Sequence, residues 1–139
     1  MVKMQKALVC VDLSDYSKMT MDYALSLARG FKMELVVISV INKREVEAVE
    51  TASHYYPENI NVEHFLKEAK ADRQKRIDEM IKEHFSSDLA EIKTLIRVGI
   101  PFVEILKAVK EENFDLVILG NKGKTNILGT VFGSNAEKV

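Results

Sequence analysis

Residues 33 to 41, Met-Glu-Leu-Val-Val-Ile-Ser-Val-Ile, are apolar almost without interruption and rich in β-branched side chains. A strand with one wet face alternates in polarity, whereas a run like this suits a strand covered on both faces, as in parallel sheets. Parallel neighbours cannot be joined by a hairpin, so helical crossovers must lie between the strands.

The rest of the chain supplies them. Residues 6 to 12 (KALVCVD) form a second compact apolar run, and 13 to 18 (LSDYSK) carry Ser and Asp suited to capping a helix. Met21, Ala24, Leu25 and Ala28 fall at i, i+3, i+4 and i+7 of a helix, and Gly30 stands where a left-handed C-terminal residue is wanted. Between 42 and 61 the chain is polar and loses its period, which reads as a mobile excursion in which Tyr55, Tyr56 and Pro57 serve loop packing. From Val62 to Phe85 a charged helix carries Phe65, Ala69, Ile77, Met80, Ile81 and Phe85 on one side. Residues 90 to 98 (AEIKTLIRV) read as a third strand, more alternating and so nearer an edge. Gly99 and Pro101 then punctuate the start of a helix with the stripe Phe102, Ile105, Leu106 and Val109. Residues 114 to 119 form a fourth apolar strand, followed by a Gly-rich loop and a helix from near Ser134.

The order β-α-β-α-β-α-β-loop-α predicts an α/β fold, an open, doubly wound, mostly parallel sheet of Rossmann-like type with helices on both faces. At 139 residues, without repeats or linkers, the chain is expected to be a single domain spanning 1–139. A ligand of such a sheet binds outside the carboxyl ends of its strands, where the strand order reverses.

Twenty Lys and Arg against twenty-one Asp and Glu leave a formal charge of -1, which favours neither nucleic acid nor an anionic membrane as partner. No apolar run approaches the roughly 18 to 20 residues of a membrane helix, so a soluble, cytoplasmic protein is expected. The lone Cys10 lies inside an apolar run and reads as a small buried hydrophobe. His54, His64 and His84 are widely spaced, with no metal-ligand pattern around them.

The chemistry concentrates after the fourth strand, in Gly120-Asn121-Lys122-Gly123-Lys124-Thr125 and on to Gly133-Ser134-Asn135. Glycines there let the backbone approach a phosphate, and a helix start attracts anions. Gly123-Lys124-Thr125 is not a P-loop, because that motif needs a glycine where Ile118 stands. Leu13-Ser14-Asp15-Tyr16 likewise lacks the glycine of a dinucleotide-binding turn.

The spacing that fits is Gly, two residues, Gly, nine residues, Gly-Ser, met by Gly120, Gly123, Gly133 and Ser134. With Asp12 closing the first strand, Val40-Ile41 closing the second and Val98-Gly99-Ile100-Pro101 before the next helix, the chain resembles the universal stress protein family in its ATP-binding branch. That resemblance implies ATP, AMP or ADP as ligand, with Mg²⁺ or Mn²⁺ carried by the phosphates. It implies phosphates lined by Gly120, Gly123, Gly133 and Ser134, ribose and adenine faced by Asp12 and the Val40 backbone, and a loop contribution from Asn121, Lys122 and Asn135. It also implies a homodimer. The family's fifth strand is expected to be absent, because the chain ends six residues after Gly133.

The plainer readings stand beside these: glycines as turn formers, Lys122 and Lys124 as solvated charges, Asp12 as a helix cap. The function so implied is a nucleotide-holding regulatory module of the stress response, with at most slow hydrolysis or autophosphorylation. The enzyme alternative, nucleotidyl transfer of the ATP-pyrophosphatase kind, calls for Ser-Gly-Gly where Leu13-Ser14-Asp15 stands. A phosphoacceptor receiver domain calls for an aspartate where Val98 and Gly99 stand.

Overall fold

The computed structural model describes residues 5–14, 16–85 and 92–120, the side chains of His84 and Phe85 excepted. The elements run β1 (Lys6–Cys10), α1 (Ser17–Phe31), β2 (Glu34–Asn42), α2 (Lys43–Tyr55), α3 (Val62–Phe85), β3 (Ile92–Gly99), α4 (Pro101–Glu112) and β4 (Leu116–Leu119). The four strands form one sheet, ordered β3-β2-β1-β4 and parallel throughout. This is the doubly wound α/β sheet expected from the sequence, with β3 at an edge.

Alternation along the strands sends Ala7, Val9, Leu35 and Val37 to one face, where Met21, Ala24, Leu25 and Ala28 of α1 and Ile77, Met80 and Ile81 of α3 cover them. Leu8, Val36 and Ile38 point the other way, onto Ile105 and Ala108 of α4 and Phe114. Both faces of β2 are therefore dry, which is why its sequence shows no period of two. The chain steps β1 to β2 to β3 in one direction, with α1 and α3 on one face. Right-handed return to the far side of β1 puts α4 on the opposite face. The order reverses between β1 and β4.

Several expectations need correction. Gly30 lies inside α1; the left-handed residue is Lys32 (φ 53°), with Met33 N–H donating to the Ala28 carbonyl at 2.8 Å and Lys32 N–H to that of Arg29 at 3.3 Å. That pair of bonds is a Schellman ending, which tolerated lysine in place of glycine. The polar stretch from 42 is not a structureless excursion, because Asn42 caps α2 by accepting the Arg44 N–H at 3.0 Å. α2 buries just Val46 fully, so its sequence shows no apolar stripe. Tyr55 and Tyr56 do not pack within a loop: they are 76 % and 61 % exposed at the turn between α2 and α3. In α4 the buried face centres on Ile105 and Ala108 and leaves Leu106 exposed. β1 ends at Cys10, so Asp12 lies just beyond the strand. The helix expected near Ser134 and the question of a fifth strand fall outside the described residues.

Candidate functional site

The carboxyl ends of β1, β2 and β4 come together through their register. Cys10 is level with Ile38 of β2 and Leu119 of β4. Asp12, Val40 and Gly120 therefore stand side by side at the rim where the strand order reverses, which is the position a ligand of this fold takes. Asn121, Lys122, Gly123, Gly133, Ser134 and Asn135 lie outside the described residues.

Val40 contributes its backbone. Glu34 N–H donates to the Gln5 carbonyl at 2.9 Å, and the Ile38 carbonyl accepts Val11 N–H at 3.0 Å, so the even-numbered residues of β2 turn both main-chain groups toward β1. Val40 is next in that series, and β1 has ended its ladder at Cys10. Its amide and carbonyl consequently point into the space in line with β1. The Val40 side chain goes to the α4 face.

Asp12 acts on its own turn. Its Oδ1 accepts the Ser14 N–H at 2.9 Å and the Ser17 hydroxyl at 3.1 Å, which ties the end of β1 to the first turn of α1. Neither donor is a main-chain N–H of α1, so these bonds form a turn before the helix rather than the cap weighed from the sequence; the N-cap position is Tyr16, which makes no side-chain cap bond. Leu13 between them adopts a left-handed backbone (φ 64°), unusual for leucine. Arg76 of α3 reaches over to donate to the Leu13 carbonyl at 2.9 Å.

Gly120 has a structural reason to be glycine. A Cβ there would run into the Thr20 hydroxyl of α1, with the Thr20 Cβ at 3.3 Å. The N-terminal half of α1 thus sits against the end of β4, and the glycine lets it approach.

Three neighbours, Ser39, Arg73 and Arg76, were not singled out by sequence reasoning. Ser39, wholly buried, accepts a 2.7 Å hydrogen bond from Arg73 Nη1 of α3. The signal was one hydroxyl inside an otherwise apolar strand; Arg73 and Arg76 were hidden in what read as the solvated face of a charged helix. Cys10 packs toward the α4 side, and burial pushes its thiol up to about 12, although part of the residue's surface stays accessible. It is no nucleophile at neutral pH. His64 pairs with Glu68 at 2.9 Å on the surface. Among the described residues no three His, Cys, Asp or Glu gather as a metal site, and no helix is long and apolar enough to cross a membrane.

Residues 3–139 match the universal stress protein family. The chain is 32 % identical over 136 residues to the universal stress protein MJ0577 of Methanocaldococcus jannaschii, covering 91 % of this chain and 83 % of that one. It is 31 % identical over 137 residues to YxiE of Bacillus subtilis, covering 96 % and 90 %. The solved structure of MJ0577 superposes with a TM-score of 0.68 at 26 % identity, covering 99 % of this chain and 90 % of that one. A universal stress protein solved in complex with cAMP shares the fold, with a TM-score of 0.55 at 20 % identity over 99 % and 91 % of the two chains. On its sequence, its sheet order and these matches, the chain belongs to the universal stress protein family.

Proposed function

We propose that the protein is a single-domain, adenine-nucleotide-binding regulatory module of the stress response. The observation that carries this reading is the meeting of Asp12, the Val40 main chain and Gly120 at one rim of the sheet, where the strand order reverses. Val40 offers a paired donor and acceptor in line with β1, which matches the edge of an adenine ring. The glycine spacing from Gly120 to Gly133-Ser134 favours a phosphorylated ligand, and ATP in particular. That the fold can accept such a ligand accords with its distant fold-mate solved with cAMP. Mg²⁺ or Mn²⁺ would be held by the phosphate oxygens and water, an arrangement that asks for no protein ligand cluster. Asp12, whose Oδ1 already takes two donors from its own turn, is suited to receive ribose or adenine donors rather than to serve as a general base. Turnover is accordingly slow or absent, and the module acts in the cytoplasm as a homodimer through partner contacts.

Nucleotide released from the purified protein by denaturation, identified by mass, tests the reading. An adenine nucleotide is expected, with ATP titration giving one site per chain and Gly133→Val abolishing it in a folded protein. Nucleotide-free protein that also fails to bind ATP would end the proposal. Light scattering at micromolar concentration tests the dimer, and a clean monomer removes that part alone.

A further inference from the structure

The nucleotide reading leaves one side chain unused. Arg73 places its guanidinium between α3 and the sheet, half-buried, and its hydrogen bond to Ser39 Oγ takes one of five donors. Among the described residues it makes no ion pair. A partly desolvated arginine without a carboxylate is costly unless a further group takes up its charge or its flat face. Arg76, one turn on, behaves differently: it donates to the Leu13 carbonyl and lies 3.8 Å from Asp72.

Its position says what that group is. α3 returns from the carboxyl end of the sheet toward the amino end, so residues 62 to 72 run about 16 Å beyond Arg73, past the level at which β1 stops. Arg73 is therefore at the foot of a helical wall beside the rim. Ser39 immediately precedes Val40 and turns its side chain to the α1 and α3 face, while Val40 turns its main chain toward β1. A planar base hydrogen-bonded by its edge to Val40 lies in line with β1 and turns one face to the side where Arg73 is tied down. Gly120, just past the end of β4, is two strand spacings from β2, about 10 Å, which puts Arg73 at the base end of the nucleotide and away from its phosphates.

Resting on the nucleotide reading, we infer that Arg73 is a base-contacting residue that stacks its guanidinium on the adenine ring, with Ser39 as the hydroxyl that orients it. Guanidinium over an aromatic face is a favourable electrostatic and stacking contact, stronger where water is excluded.

The test uses the full chain and calorimetric titration with ATP, AMP and inorganic tripolyphosphate. Arg73→Met should weaken ATP and AMP by the same factor, about tenfold, and leave tripolyphosphate unchanged. Arg73→Lys, which keeps the charge without the flat fork, should recover only part of the loss. Ser39→Ala should give a smaller loss of the same pattern, and it carries the test alone if Arg73→Met does not fold. Unchanged ATP and AMP affinities in these variants overturn the inference, as does a loss confined to ATP and tripolyphosphate, which would make Arg73 a phosphate contact. A wild-type protein that binds neither ATP nor AMP removes the nucleotide reading itself, and this inference with it.

Discussion

Replacing Gly120 with alanine asks whether the glycine serves helix packing. Its φ lies outside the left-handed region, so alanine meets no backbone strain there and the effect is one of space. The new Cβ would meet the Thr20 hydroxyl, with Thr20 Cβ at 3.3 Å and Cγ2 at 3.5 Å. Thr20 is 7 % exposed and its hydroxyl donates to the Tyr16 carbonyl at 2.9 Å, so it is poorly placed to swing aside. Rotation gives up that bond in a site nearly closed to water, at about 1–3 kcal/mol, and shifting α1 outward instead costs about 1–3 kcal/mol of overpacking. The lower unfolded-chain entropy of alanine offsets about 0.4–1 kcal/mol.

The net expectation is a loss of about 1–2 kcal/mol, read as a lower urea midpoint with unchanged slope and a Tm lower by roughly 4–8 °C. The decisive measurement is the double-mutant cycle with Thr20→Ala. In that background the hydroxyl is gone and only the 3.3 Å Cβ contact remains, so Gly120→Ala should cost less than about 0.5 kcal/mol, and the unfolded-state contribution cancels. Equal costs in the two backgrounds would refute the packing argument and leave the glycine to a ligand.

Because burial pushes the Cys10 thiol up to about 12, alkylation at pH 8 should be negligible in the native protein. The unfolded chain releases that proton above its ordinary value while the native chain keeps it. Stability from this group is therefore full below about pH 8.5 and falls by about 1.4 kcal/mol per pH unit above it until the folded value is reached. The stability difference between wild type and Cys10→Ala should track that fall, and a difference constant from pH 8 to 11 contradicts it. Asn42→Ala should cost about 1 kcal/mol and speed amide exchange in the first turn of α2; unchanged exchange at Arg44 would mean the cap bond is idle. The hydrogen bond from Arg97 holds the exposed Glu111 carboxyl below the usual carboxylate range. Its small contribution is present above the ordinary value and lost as pH falls through the lowered one, so an NMR titration of Glu111 with an ordinary midpoint would refute the pairing.

What the sequence made legible were the features in which local pattern and tertiary role coincide. The unbroken run in β2 and the 3.6 period of α1 each report directly on which faces are dry, and both survive into the structure. α2 escaped because it buries so little: without an apolar stripe, the informative signal was the cap at Asn42, a single residue. Lys32 was illegible for the opposite reason, since a Schellman ending prefers glycine and one stood two residues upstream. At the site, Asp12, Val40 and Gly120 could be set near strand ends by counting along the chain, whereas their roles toward a nucleotide are what the family resemblance implies. Arg73 and Arg76 were not, because a charged residue on a charged helix looks the same whether it faces water or a neighbouring strand.

The turn between β1 and α1 carries the last test. Leu13 at φ 64° costs roughly 1–2 kcal/mol in a conformation leucine avoids, and such strain persists only where neighbouring contacts enforce it. Two do so: Arg76 on the Leu13 carbonyl, and Asp12 Oδ1 on the Ser14 amide and the Ser17 hydroxyl. Both donors to Asp12 would be served as well by the neutral amide oxygen of asparagine, at reduced strength, whereas alanine leaves both without it. Asp12→Asn should therefore keep the turn and lose about 0.5–1 kcal/mol, while Asp12→Ala should lose about 2–3 kcal/mol, because Ser17 is 3 % exposed and has little water to turn to. The stable asparagine variant then isolates the charge, and any drop in nucleotide affinity beyond its small loss of stability belongs to a ligand contact. Equal destabilisation by the two substitutions would mean that the carboxylate's charge, not its Oδ1 geometry, holds the turn, and Asp12 could no longer be read as an acceptor set in place before the ligand arrives.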